Sequence, residues 1–234
     1  AGAVHLYNPF TKTVIASFYG DTAEDYLGSS SVTALGNNNF VIASWLDDVN
    51  GVRDAGSVML VSGTTGAQIG TTIAGDTAYD YLGNSSVTAL GNNNFVIASA
   101  YDDVNSVRNA GSVVLINGTT GAQIGTTLAG DTTNDLLGNS SVTVLGNNNF
   151  VIASRFDDVN SVVNAGSVML VSGTTGAQIG TTIAGDTKDD YLGNSGITAL
   201  CNNNFLIASR FDDVNSVVNS VSVILVTCPT CTHT

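Results

Sequence analysis

Four copies of Asp-Asp-Val-Asn recur at 55-residue intervals in this chain, beginning at Asp47, Asp102, Asp157 and Asp212. Carboxylate and amide oxygens crowded into one short loop are what a hard cation such as calcium takes as ligands. The pattern places candidate metal ligands at Asp47, Asp48 and Asn50; at Asp102, Asp103 and Asn105; at Asp157, Asp158 and Asn160; and at Asp212, Asp213 and Asn215. The same residue types also build Asx turns with no ion present, and both readings stand at this point. A second acidic phrase, Gly-Asp-Thr-x-x-Asp-x-Leu-Gly, supplies Asp21 and Asp25, Asp76 and Asp80, Asp131 and Asp135, and Asp186 and Asp190. Its expected task is to fix a crossover by accepting backbone N–H bonds.

Paired carboxylates also serve general acid–base catalysis, but that chemistry needs two environments that pull their pKa values apart. Four equivalent copies offer no privileged pair. The two histidines, His5 and His233, lie near opposite ends, and no nucleophile elbow, zinc spacing or phosphate loop is present. The expectation is a protein that is not an enzyme. A net charge of −13, from 19 acidic and 6 basic residues, repels a phosphate backbone and speaks against nucleic acid as a partner. No apolar run has the length of a membrane span.

The copies differ after one apolar strand, at Trp45-Leu46, Ala100-Tyr101, Arg155-Phe156 and Arg210-Phe211. Leu46, Tyr101, Phe156 and Phe211 are expected to pack between repeats. Trp45, Arg155 and Arg210 are candidates for contact with a carbohydrate or a protein ligand on one rim. Asn84, Asn117 and Asn139 head Asn-x-Ser/Thr triplets and are candidate glycosylation acceptors. The three cysteines all fall late. Cys201 replaces the turn glycine of Gly36, Gly91 and Gly146, which suggests a bridge from Cys201 to Cys228, or else to Cys231, in a secreted chain.

These residues are carried on a 55-residue unit of short strands. In the second copy, residues 85–90 read as strand a, Gly-Asn-Asn-Asn as a turn, and residues 95–99 as a central strand b. A polar loop follows, then strand c at 112–116, a turn, and an outer strand d at 122–129. Four antiparallel strands repeated about an axis describe a propeller blade. A β-solenoid rung is the alternative. The expected fold is therefore all-β: four repeats of four-stranded antiparallel blades, β-propeller-like, in one domain over residues 1–234. Units start near 20, 75, 130 and 185, with a part-blade at 1–19 and a tail at 227–234. Residues 66–99 and 176–209 differ at only 6 of 34 positions, as recent duplication would leave them. The c motif occurs five times and the others four times each, so one c strand is surplus.

The run "YLGNSSVTALGNNNFVIAS…DDVN…NAGSVMLVSGTTGAQIGTTIAG" resembles the FG-GAP repeat of integrin-α-type β-propellers, especially bacterial secreted versions. The resemblance implies an extracellular propeller that adheres to a partner. It departs at Leu27-Gly28, Leu82-Gly83, Leu137-Gly138 and Leu192-Gly193, where that family has Phe-Gly. The family's calcium loop between strands a and b is also shortened here to Gly-Asn-Asn-Asn or Cys-Asn-Asn-Asn.

Two functional classes follow. One is an extracellular structural or adhesive protein that self-assembles into a homo-oligomer or filament, donating the surplus strand at residues 1–7 or 220–226. The other is a lectin-like or receptor-like binding module. Calcium is the one cofactor either would call for. The chain opens at Ala1 with neither Met nor a signal peptide, as expected of a processed secreted chain or a fragment.

Overall fold

In a computed structural model the protein is described over residues 1–213 and 217–227. Seventeen strands occur there, with no helix among the described residues. An N-terminal pair, β1 (Ala3–Asn8) and β2 (Thr13–Tyr19), forms one sheet. Three four-stranded sheets follow. The first holds β3 (Ser31–Ala34), β4 (Asn39–Ser44), β5 (Ser57–Ser62) and β6 (Ile73–Ala74). The second holds β7 (Ser86–Ala89), β8 (Phe95–Ser99), β9 (Ser112–Ile116) and β10 (Gln123–Ala129). The third holds β11 (Ser141–Val144), β12 (Phe150–Ser154), β13 (Ser167–Val171) and β14 (Ile183–Ala184). The last sheet is three-stranded: β15 (Ile197–Ala199), β16 (Phe205–Ser209) and β17 (Ser222–Val226).

Each complete sheet is an antiparallel meander in the order a-b-c-d. Strands b and c are buried on both faces, which is why Phe-Val-Ile-Ala-Ser reads as an unbroken apolar run. The a–b turns place Asn38, Asn93, Asn148 and Asn203 at φ between 63° and 68°, a left-handed conformation that Asn tolerates better than most residues.

The sheets stack face to face, and each joint is a core. Val41, Ala43, Val58 and Leu60 of the first complete sheet meet Phe95, Ile97, Val114 and Ile116 of the second. The next two joints repeat this arrangement, and Val4, Leu6 and Phe18 pack in the same way on Phe40 and Ile42. Among the described residues the terminal sheets share neither a ladder nor a core cluster, and the array is not closed into a ring. The expected fourth blade is thus three-stranded within the described residues, and the N-terminal c and d strands form a separate sheet.

Two devices hold the joints, and the sequence motifs do not announce either one. Asn92 Nδ2 and Asn94 Nδ2 both donate to Gly173 O of the following sheet, at 2.8 and 2.9 Å. Asn37 and Asn39 do the same to Gly118 O. The second device is a backbone approach at the start of strand c. A Cβ on Gly56, Gly111 or Gly166 would lie 2.3 Å from the backbone N of Leu82, Leu137 or Leu192, in the loop leading into the next sheet. Only a residue without a side chain allows that contact.

Candidate functional site

The two acidic motifs meet at every joint. The crossover loop brings both of its aspartates beside the first aspartate of Asp-Asp-Val-Asn, so that one carboxylate oxygen from each lies within 4.8 Å of the others. The four triads are Asp21, Asp25 and Asp47; Asp76, Asp80 and Asp102; Asp131, Asp135 and Asp157; and Asp186, Asp190 and Asp212. The sequence pattern grouped Asp47 with Asp48 instead, because adjacency in the chain hides which way each side chain faces.

The three carboxylates have different surroundings. Asp80 is fully buried. Its Oδ2 accepts from Asp76 N at 3.0 Å and Thr77 N at 2.7 Å, and its Oδ1 accepts from Thr77 Oγ1 at 2.5 Å and Asp103 N at 3.1 Å. Asp135 and Asp190 repeat most of this set, and Asp25 accepts from Thr22 N and Thr22 Oγ1. These carboxylates tie the crossover down, the role expected of their motif. Asp76 and Asp131 are exposed at the mouth. Asp102 and Asp157 are half-buried, and burial pushes each of them up to about 6 from the usual 3.8. The hydroxyls of Ser112 and Ser167 pull the other way, and the neighbouring aspartates add repulsion. Asp47 is raised for the same reasons, and Ser57 Oγ donates to its Oδ2.

The second aspartate of each pair caps its own loop. Asp48, Asp103, Asp158 and Asp213 accept from the backbone N of Asp54, Asn109, Asn164 and Asn219 at 2.6–2.8 Å. Asn50, Asn105 and Asn160 sit at left-handed φ in the tight turn that bridges Val49 to Val52, Val104 to Val107 and Val159 to Val162. They line the same clefts as Asp47, Asp102 and Asp157. Asn215 lies outside the described residues.

For a hard cation, this leaves the oxygens of Asp76 and Asp102 and the wall carrying Asn105, because both oxygens of Asp80 already accept protein N–H or O–H groups. Calcium takes six to eight oxygens. The protein supplies fewer than that, and water would complete the shell.

The variable residues gather on one rim. Trp45 packs edge-on against Tyr81, with centroids 5.3 Å apart, and Tyr81 in turn meets Tyr101. At the last joint Tyr191 stands between Phe156 and Phe211. The Arg155 and Arg210 guanidinium carbons lie 4.6 Å over the rings of Phe156 and Phe211. With Asn194 these residues line a cleft of about 250 Å³. Arg155 Nη1 donates to Asn194 Oδ1 at 3.3 Å, while its Nε is buried without a partner. Neither arginine forms an ion pair among the described residues. Asn84, Asn117 and Asn139 are half-buried, and Asn117 Oδ1 accepts from Thr119 N and Thr120 N. Cys201 is exposed and forms no disulfide among the described residues; Cys228 and Cys231 lie outside them.

Among known families, residues 34–83, 89–139 and 144–194 match a repeat of unknown function, DUF5650. The chain belongs to the DUF5650 repeat family. This corrects the FG-GAP resemblance: the shared turns and apolar strands are common to both patterns, whereas the Phe-Gly and calcium-loop signatures are missing here. Each DUF5650 match runs from the end of strand a through the crossover loop. The Asp76, Asp80 and Asp102 triad therefore takes two carboxylates from one matched stretch and the third from the next. No curated protein matches. Among solved structures, a protein of unknown function from Bacteroides caccae is similar at 9% identity and a TM-score of 0.41, over 99% of this chain and 67% of that one.

Proposed function

We propose that this DUF5650 repeat protein is an extracellular, non-catalytic structural element that joins end to end with copies of itself. One observation carries the reading. Val223 and Leu225 of β17 are 62% and 55% exposed, whereas Val58 and Leu60, at the same positions of β5, are 1% and 3% exposed beneath the next sheet. Leu206 and Ala208 of β16 extend that face, as Val41 and Ala43 do in the interior. Among the described residues, an apolar sheet face of the kind the fold buries at each internal joint is thus left open. A second copy, whose own sheets already pack by this geometry, is the occupant that fits. A heterologous contact of this sort need not close on itself and can grow linearly.

Calcium belongs to the proposal as a stiffener of the joints, held by Asp76 and Asp102 and their counterparts. A bridge from Cys201 to the tail is kept as part of the extracellular reading. The second reading, a binding module, is favoured by the Arg155 and Arg210 cleft, whose guanidinium edges suit a carboxylate of a carbohydrate or protein ligand. Negative-stain electron microscopy tests the main reading. Linear particles are expected for the wild type and single beads for Leu206→Asp. Single beads for both would overturn it.

A further inference from the structure

Resting on the binding-module reading of the arginine cleft, we infer that the last joint carries a subsite for a single uronate, a sugar bearing one carboxylate at the end of an otherwise neutral glycan.

The cleft arises where the last joint departs from the others. The position of Arg155 and Arg210 is held by Trp45 and Ala100 in the earlier repeats, and that of Tyr191 by Tyr26, Tyr81 and Leu136. Where Trp45 stands, its ring packs against Tyr81, and Tyr81 against Tyr101, so rings fill the rim. At the next joint Leu136 supplies no ring between Tyr101 and Phe156. Among the described residues, only the last joint brings arginines from two successive repeats to one cleft, with Tyr191 between Phe156 and Phe211. The chain has 19 acidic residues, yet none of them lines this cleft.

The free donors in the cleft suit an anion. Each guanidinium stacks on the ring of the next residue, 4.6 Å from its centroid, which covers a face and leaves the N–H groups pointing outward in the plane. Arg210 is exposed and makes no hydrogen bond to the protein among the described residues, so its edge is open to a bidentate carboxylate. Arg155 commits Nη1 to Asn194 Oδ1, and its Nε is buried with no acceptor from the protein. A guanidinium with an unpartnered N–H gains from any acceptor that reaches it.

The remaining groups suit a sugar. Holding Asn194 by its oxygen turns the amide N–H groups away from Arg155, and they have no partner among the described residues, so they can donate to a hydroxyl. The hydroxyl of Tyr191 is tied to Asp189 Oδ1 at 3.2 Å, which fixes the ring as a wall against which the C–H face of a pyranose can pack. A volume of about 250 Å³ lies below the 300–1,000 Å³ typical of drug-sized ligands and admits about one sugar ring. The net charge of −13 limits the ligand further. A glycan charged at every unit meets that repulsion at each one, whereas a neutral glycan ending in one uronate meets it once.

The test titrates the full, nitrogen-labelled chain with methyl β-glucuronide, methyl β-glucoside and N-acetylglycine, following arginine Nε–H and Asn194 amide signals by NMR. The glucuronide is expected to move the signals of Arg155, Arg210 and Asn194, and to bind about tenfold or more tightly than either the glucoside, which lacks the carboxylate, or N-acetylglycine, which lacks the sugar. Arg155→Gln and Arg210→Gln should each weaken it by about tenfold. Arg210 is exposed, so its variant carries the test if Arg155→Gln does not fold. A short polyuronate should bind no more tightly than the single sugar. N-acetylglycine binding as tightly as the glucuronide overturns the sugar and leaves a cleft for a protein carboxylate. Glucoside binding as tightly overturns the carboxylate, tighter polyuronate binding overturns the neutral glycan, and undiminished binding to Arg210→Gln overturns the cleft as the site. If none of the probes moves these signals, the binding-module reading falls as well.

Discussion

Moving the protein from pH 7.5 to pH 5 in the presence of a chelator should raise its stability, because Asp102 and Asp157 hold their protons more tightly when folded. Both are pushed up to about 6, against 3.8 for an ordinary aspartate, by burial beside other carboxylates. Between these values the folded chain binds more protons than the unfolded chain, so stability falls as pH rises through the window and is regained on acidification. A group with these two pKa values gains about 1.4 kcal/mol between pH 7.5 and pH 5. Partial exposure screens this to about 0.7 kcal/mol per site, or about 1.4 kcal/mol for the two together. For a chain of this length that corresponds to a rise in melting temperature of roughly 3–6 °C. The double variant Asp102→Asn with Asp157→Asn should melt higher than wild type at pH 7.5 and lose most of the rise on acidification. Differential scanning fluorimetry across the window reads both. A wild-type melting temperature that falls toward pH 5, or a double variant that tracks the wild type, would refute the reasoning.

The other expectations concern the joints. Gly111→Val places a Cβ 2.3 Å from Leu137 N at a residue with φ of 74°, so urea unfolding should show a loss of about 3 kcal/mol or more. Asp80→Ala strands Asp76 N, Thr77 N and Asp103 N, and should cost about 3 kcal/mol in the same assay; Asp76→Ala, at the exposed mouth, should cost well under 1 kcal/mol. Millimolar calcium should raise the melting temperature at pH 7.5 and flatten its pH dependence; an unchanged profile would remove calcium from the proposal.

Much of the fold was legible because the unit recurs and because strand periodicity is local. Strands b and c of the second repeat fall at Phe95–Ser99 and Ser112–Ile116, where their apolar runs place them. Outer strand d was read as continuous, but in the first and third complete sheets only Ile73–Ala74 and Ile183–Ala184 pair as strand. A left-handed glycine breaks the regular pairing in all three sheets, at Gly70, Gly125 and Gly180; in the second sheet it shows as the register shift between Ile124 and Leu128. The triads were half legible. Both acidic motifs stood out, but their union depends on the crossover folding back onto the loop after strand b, and Asp48 faces away from Asp47 to cap that loop. The Asn92 and Asn94 clamp was visible only as a turn, since its acceptor lies about 80 residues away on the next sheet.

The central claim is that the open β16 and β17 end is a joining surface for a second copy. Sedimentation velocity of the wild-type chain over a rising concentration series, beside Leu206→Asp, tests it most directly. The account predicts wild-type species in whole-number multiples of 23.8 kDa that grow with concentration, and a variant that stays at one unit. A wild-type chain that sediments as a single 23.8 kDa species at every concentration would contradict it.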